Sequence, residues 1–207
     1  PLTRSRSRGL RGLVTTKTTW NDLPGTGEEA RLILDLFRQT QSQAQPRLLS
    51  GRAHAATFLG ELRRPWRYIH FAGHGLSDDD SLTPSLLMAR SGNDSGRFYT
   101  SDIATLRLPR APLVVLAACG TLRGRVGGVE GMPSLARAFL AAGASKVVGT
   151  LWDTDDANSV QLLTSFHRSI AARQSPAAAL SEAQRDAIAR NAHPKHWAQY
   201  VVYTATP

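Results

Sequence analysis

Residues Leu113 to Gly120 read LVVLAACG, an unbroken apolar run closed by a glycine. A short run of this kind, rich in aliphatic and β-branched side chains, predicts a strand buried on both faces, as in the interior of a parallel sheet. The strand is expected over Leu113–Ala118, with Cys119 at its carboxyl end. Downstream, Met132, Leu135, Ala136, Phe139 and Leu140 form one apolar helical face, with Gly143 placed to end the helix and Lys146–Leu151 as a second buried strand. Strand, helix and strand in this order imply a right-handed crossover.

Upstream, Tyr68–Ala72 is a third short apolar run, and it stops at Gly73-His74-Gly75. Before it, Ala30, Ile33, Leu34 and Phe37 follow helical spacing, with Glu28 and Glu29 expected against the positive helix start. Ala55, Phe58, Leu59 and Leu62 predict a second helix ending before Pro65. After Leu151, Val160, Leu163, Phe166 and Ile170 are expected inward on one helix, and Leu180, Ala183, Ala187 and Ile188 on another. Tyr200–Thr204 closes the chain as a last strand. The alternation predicts an α/β fold with a mostly parallel central sheet and helices on both faces.

Composition narrows the function. At 207 residues with 42% hydrophobic and 20% charged residues, the chain can build one substantial core. Its longest apolar runs fall well short of the roughly 20 residues that span a bilayer, and the Arg/Ser alternation at the start lacks the apolar centre of a secretory signal. A cytoplasmic protein with no membrane partner is the expectation. The first residue is Pro1, and the sequence is expected to be part of a longer or processed protein.

The net charge is +9, and Arg4, Arg6, Arg8, Arg11 and Lys17 all precede the first acid, Asp22. Residues 1–22 are therefore expected to be a basic linker or poorly ordered segment, and residues 23–207 the folded domain. Such a tail can contact phosphates, but a solvated arginine–serine segment is the plainer reading and nucleic acid is not the expected partner.

Cys119 is the one cysteine, which rules out an intrachain disulfide and a multi-cysteine zinc site. In open α/β sheets, reactive groups gather beyond the carboxyl ends of the strands. Both Cys119 and His74 stand at such ends. A free thiol titrates near pH 8.5, and a neighbouring imidazole raises its reactivity at neutral pH. The flanking glycines let the backbone turn sharply at His74, and the amides of Gly75 and Cys119 are candidate donors to an oxyanion. The structural alternatives are a cysteine acting as a small buried hydrophobe and a histidine that only shapes a turn. His70 and His74 are spaced by four, but a metal pair at that spacing needs a helix, and this segment reads as strand and glycine loop. Neither a metal nor a cofactor is expected.

Several dispersed blocks together carry a family resemblance. YIHFAGHG (68–75), SLLMA (85–89), SDIATLRL (101–108), APLVVLAACGT (111–121), VEGMPSLARAFLAAGASKVVGTLW (129–152) with Asp155-Asp156, AALSEAQ (178–184) and HPKHWAQYVVY (193–203) resemble, in order, the CHAT domain family of caspase-like cysteine proteases. The resemblance covers roughly Leu23 to Tyr203 and implies a caspase-like three-layer sandwich. It implies a cysteine endopeptidase that cleaves a protein or peptide substrate through an acyl-enzyme, with His74 and Cys119 as catalytic dyad. Because family members are often joined to repeat domains, it also implies regulation by an upstream domain or a partner protein.

Asp153, Asp155 and Asp156 fall in the loop that resembles the family's specificity region, where a carboxylate could receive an arginine or lysine side chain. Capping of the helix that opens near Ala157 is an equal alternative for Asp153 or Asp155. Arg123 and Arg125 lie in a glycine-rich loop after the thiol, and Glu130-Gly131 matches a family Gly-Glu-Gly motif whose first glycine is Val129 here. Trp152, Trp197 and His193-Pro194 are expected to be structural. No role is assigned to Ser85, and only Leu10–Val14 resembles an opening strand. The rival function is a catalytically silent CHAT-like module that binds proteins.

Overall fold

The computed structural model describes residues 23–41, 43–51, 53–76, 84–119, 121, 134–153 and 156–205, with 156 and 157 as backbone only. The elements run α1 (Pro24–Thr40), α2 (Ala55–Leu62), β1 (Tyr68–Ala72), β2 (Gly75–Leu76), β3 (Ser85–Leu87), β4 (Arg97–Tyr99), α3 (Thr100–Ala104) and β5 (Leu113–Ala117). They continue through α4 (Leu135–Ala141), β6 (Lys146–Thr150), α5 (Asp156–Ala171), α6 (Pro176–Ala189), a 3-10 turn (Pro194–His196) and β7 (Tyr200–Thr204). The Leu10–Val14 patch and the basic segment 1–22 lie outside the described residues.

The four strands expected from apolar runs form one sheet in the order β1-β5-β6-β7. β1, β5 and β6 are parallel, and β7 is antiparallel to β6. Every residue of β5 is buried, because its alternate side chains enter two different cores. Val114 and Leu116 join Ile69, Phe71 and Val147 against Phe58 and Leu62 of α2, Ile103 of α3 and Phe139 of α4. Leu113, Val115 and Ala117 join Val148 and Tyr200 against Ile33 and Phe37 of α1, Phe166 of α5 and Leu180 of α6. Helices therefore cover both faces of the sheet, giving the caspase-like three-layer arrangement.

Local chemistry explains the helix ends. Ser134 accepts a hydrogen bond from Arg137 N at 3.2 Å to open α4. At its other end Gly143 N donates to Leu140 O, and Gly143 adopts φ +103°, a positive-φ conformation that lets the following amide, Ala144 N, reach Phe139 O. Ser175 and Pro176 open α6 in the same manner, with Ser175 Oγ accepting from Ala178 N.

Two expectations are corrected, and one element is added. The helix α1 begins at Pro24, so Glu28 and Glu29 lie beyond its first turn, and Glu29 is buried in the interior instead of facing the helix start. Ile188 is 51% exposed, because α6 buries only the narrow face of Ala179, Leu180, Ala183 and Ala187. A second sheet, β2-β3-β4, is antiparallel and was not foreseen; its strands of two or three residues are too short to show a period. Among the described residues, no helix is long and apolar enough to cross a membrane.

Glu29 is held by a polar relay through the core. Its Oε1 lies 2.7 Å from His70 Nε2, and His70 Nδ1 lies 3.1 Å from His167 Nε2. With Glu29 as a carboxylate and His70 in its neutral form, His70 donates to it from Nε2 and accepts from His167 at Nδ1. His167 Nδ1 is then the unprotonated nitrogen, and among the described residues it has no hydrogen-bond partner. The relay ties α1, β1 and α5 together. Burial, and secondarily the nearby His70, hold His167 well below the ordinary imidazole range.

Two outcomes follow from this packing. Leu116→Ala, at a position with 0% exposure, is expected to lower unfolding free energy by about 3 kcal/mol in a urea titration, with the slope unchanged. For His167, the unfolded ring takes up a proton below about pH 6.5 while the folded ring stays neutral, so stability is full above that pH and falls below it. Lowering the pH from about 7.5 to about 5.5 should therefore cost about 1 kcal/mol more in the native chain than in His167→Leu, read from paired unfolding curves.

Candidate active site

The chain changes sheets at His74. Gly73 N donates to Ala117 O at 3.1 Å, which is the last tie of this segment to β5. One residue later, His74 O accepts from Leu87 N at 3.0 Å, and the chain continues as β2 beside β3. His74 is the corner residue between the two sheets, and it is half-buried.

The β1–β5 register places Cys119 beside this corner. The parallel rungs run from Tyr68↔Leu113 to Ala72↔Ala117. His74 and Cys119 each stand two residues past that last rung, beyond the ends of adjacent parallel strands. Contact between the two segments is direct at Gly75, where a Cβ would lie 2.7 Å from Cys119 O, 3.3 Å from Ala118 Cβ and 3.4 Å from Thr121 Cγ2. A side chain cannot occupy that space without moving backbone. Glycine is therefore required at 75 by the approach of the Cys119 carbonyl.

Two amides at this corner are left out of the ladders. The bond from Leu87 N to His74 O makes Gly75↔Leu86 a non-hydrogen-bonded pair, so Gly75 N–H points away from β3. Among the described residues, no backbone carbonyl accepts from Cys119 N, since the β1–β5 pairing has ended at Ala117. Cys119 carries a free, half-buried thiol.

Two residues that the sequence did not single out hold the segment around Cys119. Thr150, at the end of β6, donates from Oγ1 to Ala118 O at 2.6 Å. Its N–H donates to Thr121 Oγ1 at 3.0 Å. Thr150 and Thr121 are 0% and 1% exposed. Nothing in their local sequence distinguishes them from ordinary strand and turn threonines.

The remaining candidates separate. Asp153 is exposed, three residues past Thr150, beyond the carboxyl end of the strand neighbouring β5. Asp155 lies outside the described residues, as do Arg123, Arg125, Val129 and Glu130, and Asp156 is described only as the first backbone residue of α5. The cap alternative at Asp155 therefore also lies outside them. His70 belongs to the Glu29 relay. Trp152 Nε1 donates to Lys195 O and Trp197 Nε1 to Ala192 O, which are structural roles. Ser85 is fully buried in β3, without a hydrogen-bond partner among the described residues.

The chain is 33% identical over 132 residues to human "Tetratricopeptide repeat protein 28", covering 63% of this chain and 5% of that protein. The mouse protein of the same name is 36% identical over 104 residues, 49% of this chain and 4% of its own length. The chain thus spans only about a twentieth of these curated relatives.

In three dimensions it resembles the "Arg specific cysteine proteinase gingipain R (RGPB)", with a TM-score of 0.62 at 13% identity, over 86% of this chain and 41% of that one. The complex of Porphyromonas gingivalis RgpB pro- and mature domains gives a TM-score of 0.63 at 12% identity, over 85% and 41%. At such identities the likeness is one of fold, and the shared fold is that of the caspase-like cysteine proteases. The CHAT domain model matches residues 3–205, and with nearly its whole length accounted for, this chain belongs to the CHAT domain family.

Proposed function

We propose that the chain is a cysteine endopeptidase of the CHAT type, with Cys119 as nucleophile and His74 as its general base and acid. The observation that supports this reading is that His74 and Cys119 each follow the last β1–β5 rung by two residues, with Gly75 packed on the Cys119 carbonyl. His74 takes the thiol proton as sulfur attacks the scissile carbonyl carbon. The N–H groups of Gly75 and Cys119, outside both ladders, donate to the oxyanion. As the C–N bond breaks, His74 returns the proton to the leaving amine, and an acyl-enzyme remains. Water then attacks the thioester, the carboxylic acid departs, and the thiol is restored.

Asp153, exposed beyond the end of β6, is in this reading a candidate to receive a basic side chain ahead of the scissile bond, with Asp155 and Asp156 as further candidates from the sequence. Gingipain R is titled an Arg-specific proteinase, and a preference for arginine or lysine is the matching reading here. The relatives' name points to repeats, which fits control by an upstream domain or partner protein. A lone thiol fits a reducing compartment, so the site of action in this reading is the cytoplasm.

Alkylation of Cys119 by iodoacetamide at about pH 6.5 tests the dyad: the native chain should label about tenfold faster than His74→Ala. A peptide-library digest should show cuts after arginine or lysine, none by Cys119→Ala, and a weakened basic preference in Asp153→Asn. Slow labelling independent of His74, with no cleavage, would assign the chain to the rival class, a silent CHAT module that binds proteins.

A further inference from the structure

Beyond the paired part of the sheet, β5 and β6 are joined by something other than strand hydrogen bonds. Their rungs run Leu113↔Lys146, Val114↔Val147 and Val115↔Val148 and then stop, although β5 continues to Ala117 and β6 to Thr150. At that end each strand pairs outward, β5 with β1 through Ala72↔Ala117 and β6 with β7 through Thr150↔Tyr200. The β5–β6 rungs thus end before the chain reaches Cys119.

Thr150 joins the two strands on both sides of the thiol. Its hydroxyl donates to the carbonyl of Ala118, one residue before Cys119, and its amide donates to the hydroxyl of Thr121, two residues after it. Thr121 Cγ2 in turn lies against the space at Gly75, next to the Cys119 carbonyl. All of these bonds are buried, so water does not compete for them. The backbone bearing Cys119 is thereby held at two points by one residue of the neighbouring strand, and pressed on a third side by the segment that bears His74.

We propose that Thr150, acting with Thr121, is a positioning residue for Cys119: its bonds on both sides of the thiol-bearing backbone set the distance and direction of Sγ relative to His74. The inference rests on the dyad proposed above. Misplacement of a reacting atom by about 1 Å can cost about 100-fold in rate, so one hydroxyl at this point bears on reactivity without touching substrate. Thr150→Val keeps the shape and the amide bond to Thr121 but removes the donor to Ala118 O. Thr150→Ser keeps the donor.

The test measures iodoacetamide labelling of Cys119 in the full chain, for each variant with and without His74→Ala, with near-UV circular dichroism as the check on tertiary packing. The expected result is that the native chain and Thr150→Ser show His74-dependent labelling, while Thr150→Val loses about tenfold of it and stays folded. Thr121→Val, which removes the acceptor for the Thr150 amide, should move labelling in the same direction and serves if Thr150→Val does not fold. His74-dependent labelling that is unchanged in these folded variants would overturn the inference while leaving the dyad intact. Absence of His74 dependence in the native chain would overturn the dyad itself, and the positioning role with it.

Discussion

The parallel pairing of β1 with β5 is the constraint on which the rest of the molecule depends. Parallel strands end at the same edge of a sheet, so whatever follows β1 and β5 is brought together there. Slippage is opposed from both sides, because β5 sends Val114 and Leu116 into one core and Val115 and Ala117 into the other. A one-residue shift in facing would exchange these sets between cores shaped for different partners. The proximity of the His74 and Cys119 segments is thus a consequence of the aliphatic packing of the strands that precede them.

Polar groups inside this framework act as fasteners at places the ladders do not reach. Glu29, His70 and His167 join two helices to the edge of β1, and Thr150 joins the ends of β5 and β6. The threonine bonds are buried, and those of the histidine relay are partly buried. The two sets differ in what they hold. The histidine relay secures helices against the sheet, whereas the threonine bonds secure the short segment on which the proposed chemistry sits.

The small antiparallel sheet adds a further element of geometry. By accepting from Leu87 N, His74 is committed to β3 as soon as Gly73 has left β5, and the turn between the sheets is completed within a single residue. Gly75 then passes so close to Cys119 that only hydrogen fits at its Cα. The likeness to gingipain structures at 12–13% identity shows how little of this layered arrangement depends on particular side chains. It is the residues at the sheet edge that a function must be argued from.

Much of the fold was legible in the residues. The short apolar runs at Tyr68–Ala72, Leu113–Ala117 and Lys146–Thr150, each bounded by glycine, proline or turn residues, are strands, with all five residues buried only in Leu113–Ala117, and the helical faces of α1, α2, α4 and α5 show a 3.6-residue period. The short strands β2–β4 and the exposure of Ile188 were not legible, because each depends on what lies across from it and not on its neighbours in the chain. The same holds for the interior role of Glu29, whose partner His70 is 41 residues away.

At the candidate site, periodicity and glycine spacing alone determined that His74 and Cys119 stand at strand ends. Only the tertiary structure decided that those ends are adjacent, that Gly75 meets the Cys119 carbonyl, and that Thr150 grips the chain around the thiol. Strand ends are properties of local patterns of burial. Adjacency is set by which strands pair, and that choice is made by the whole core at once.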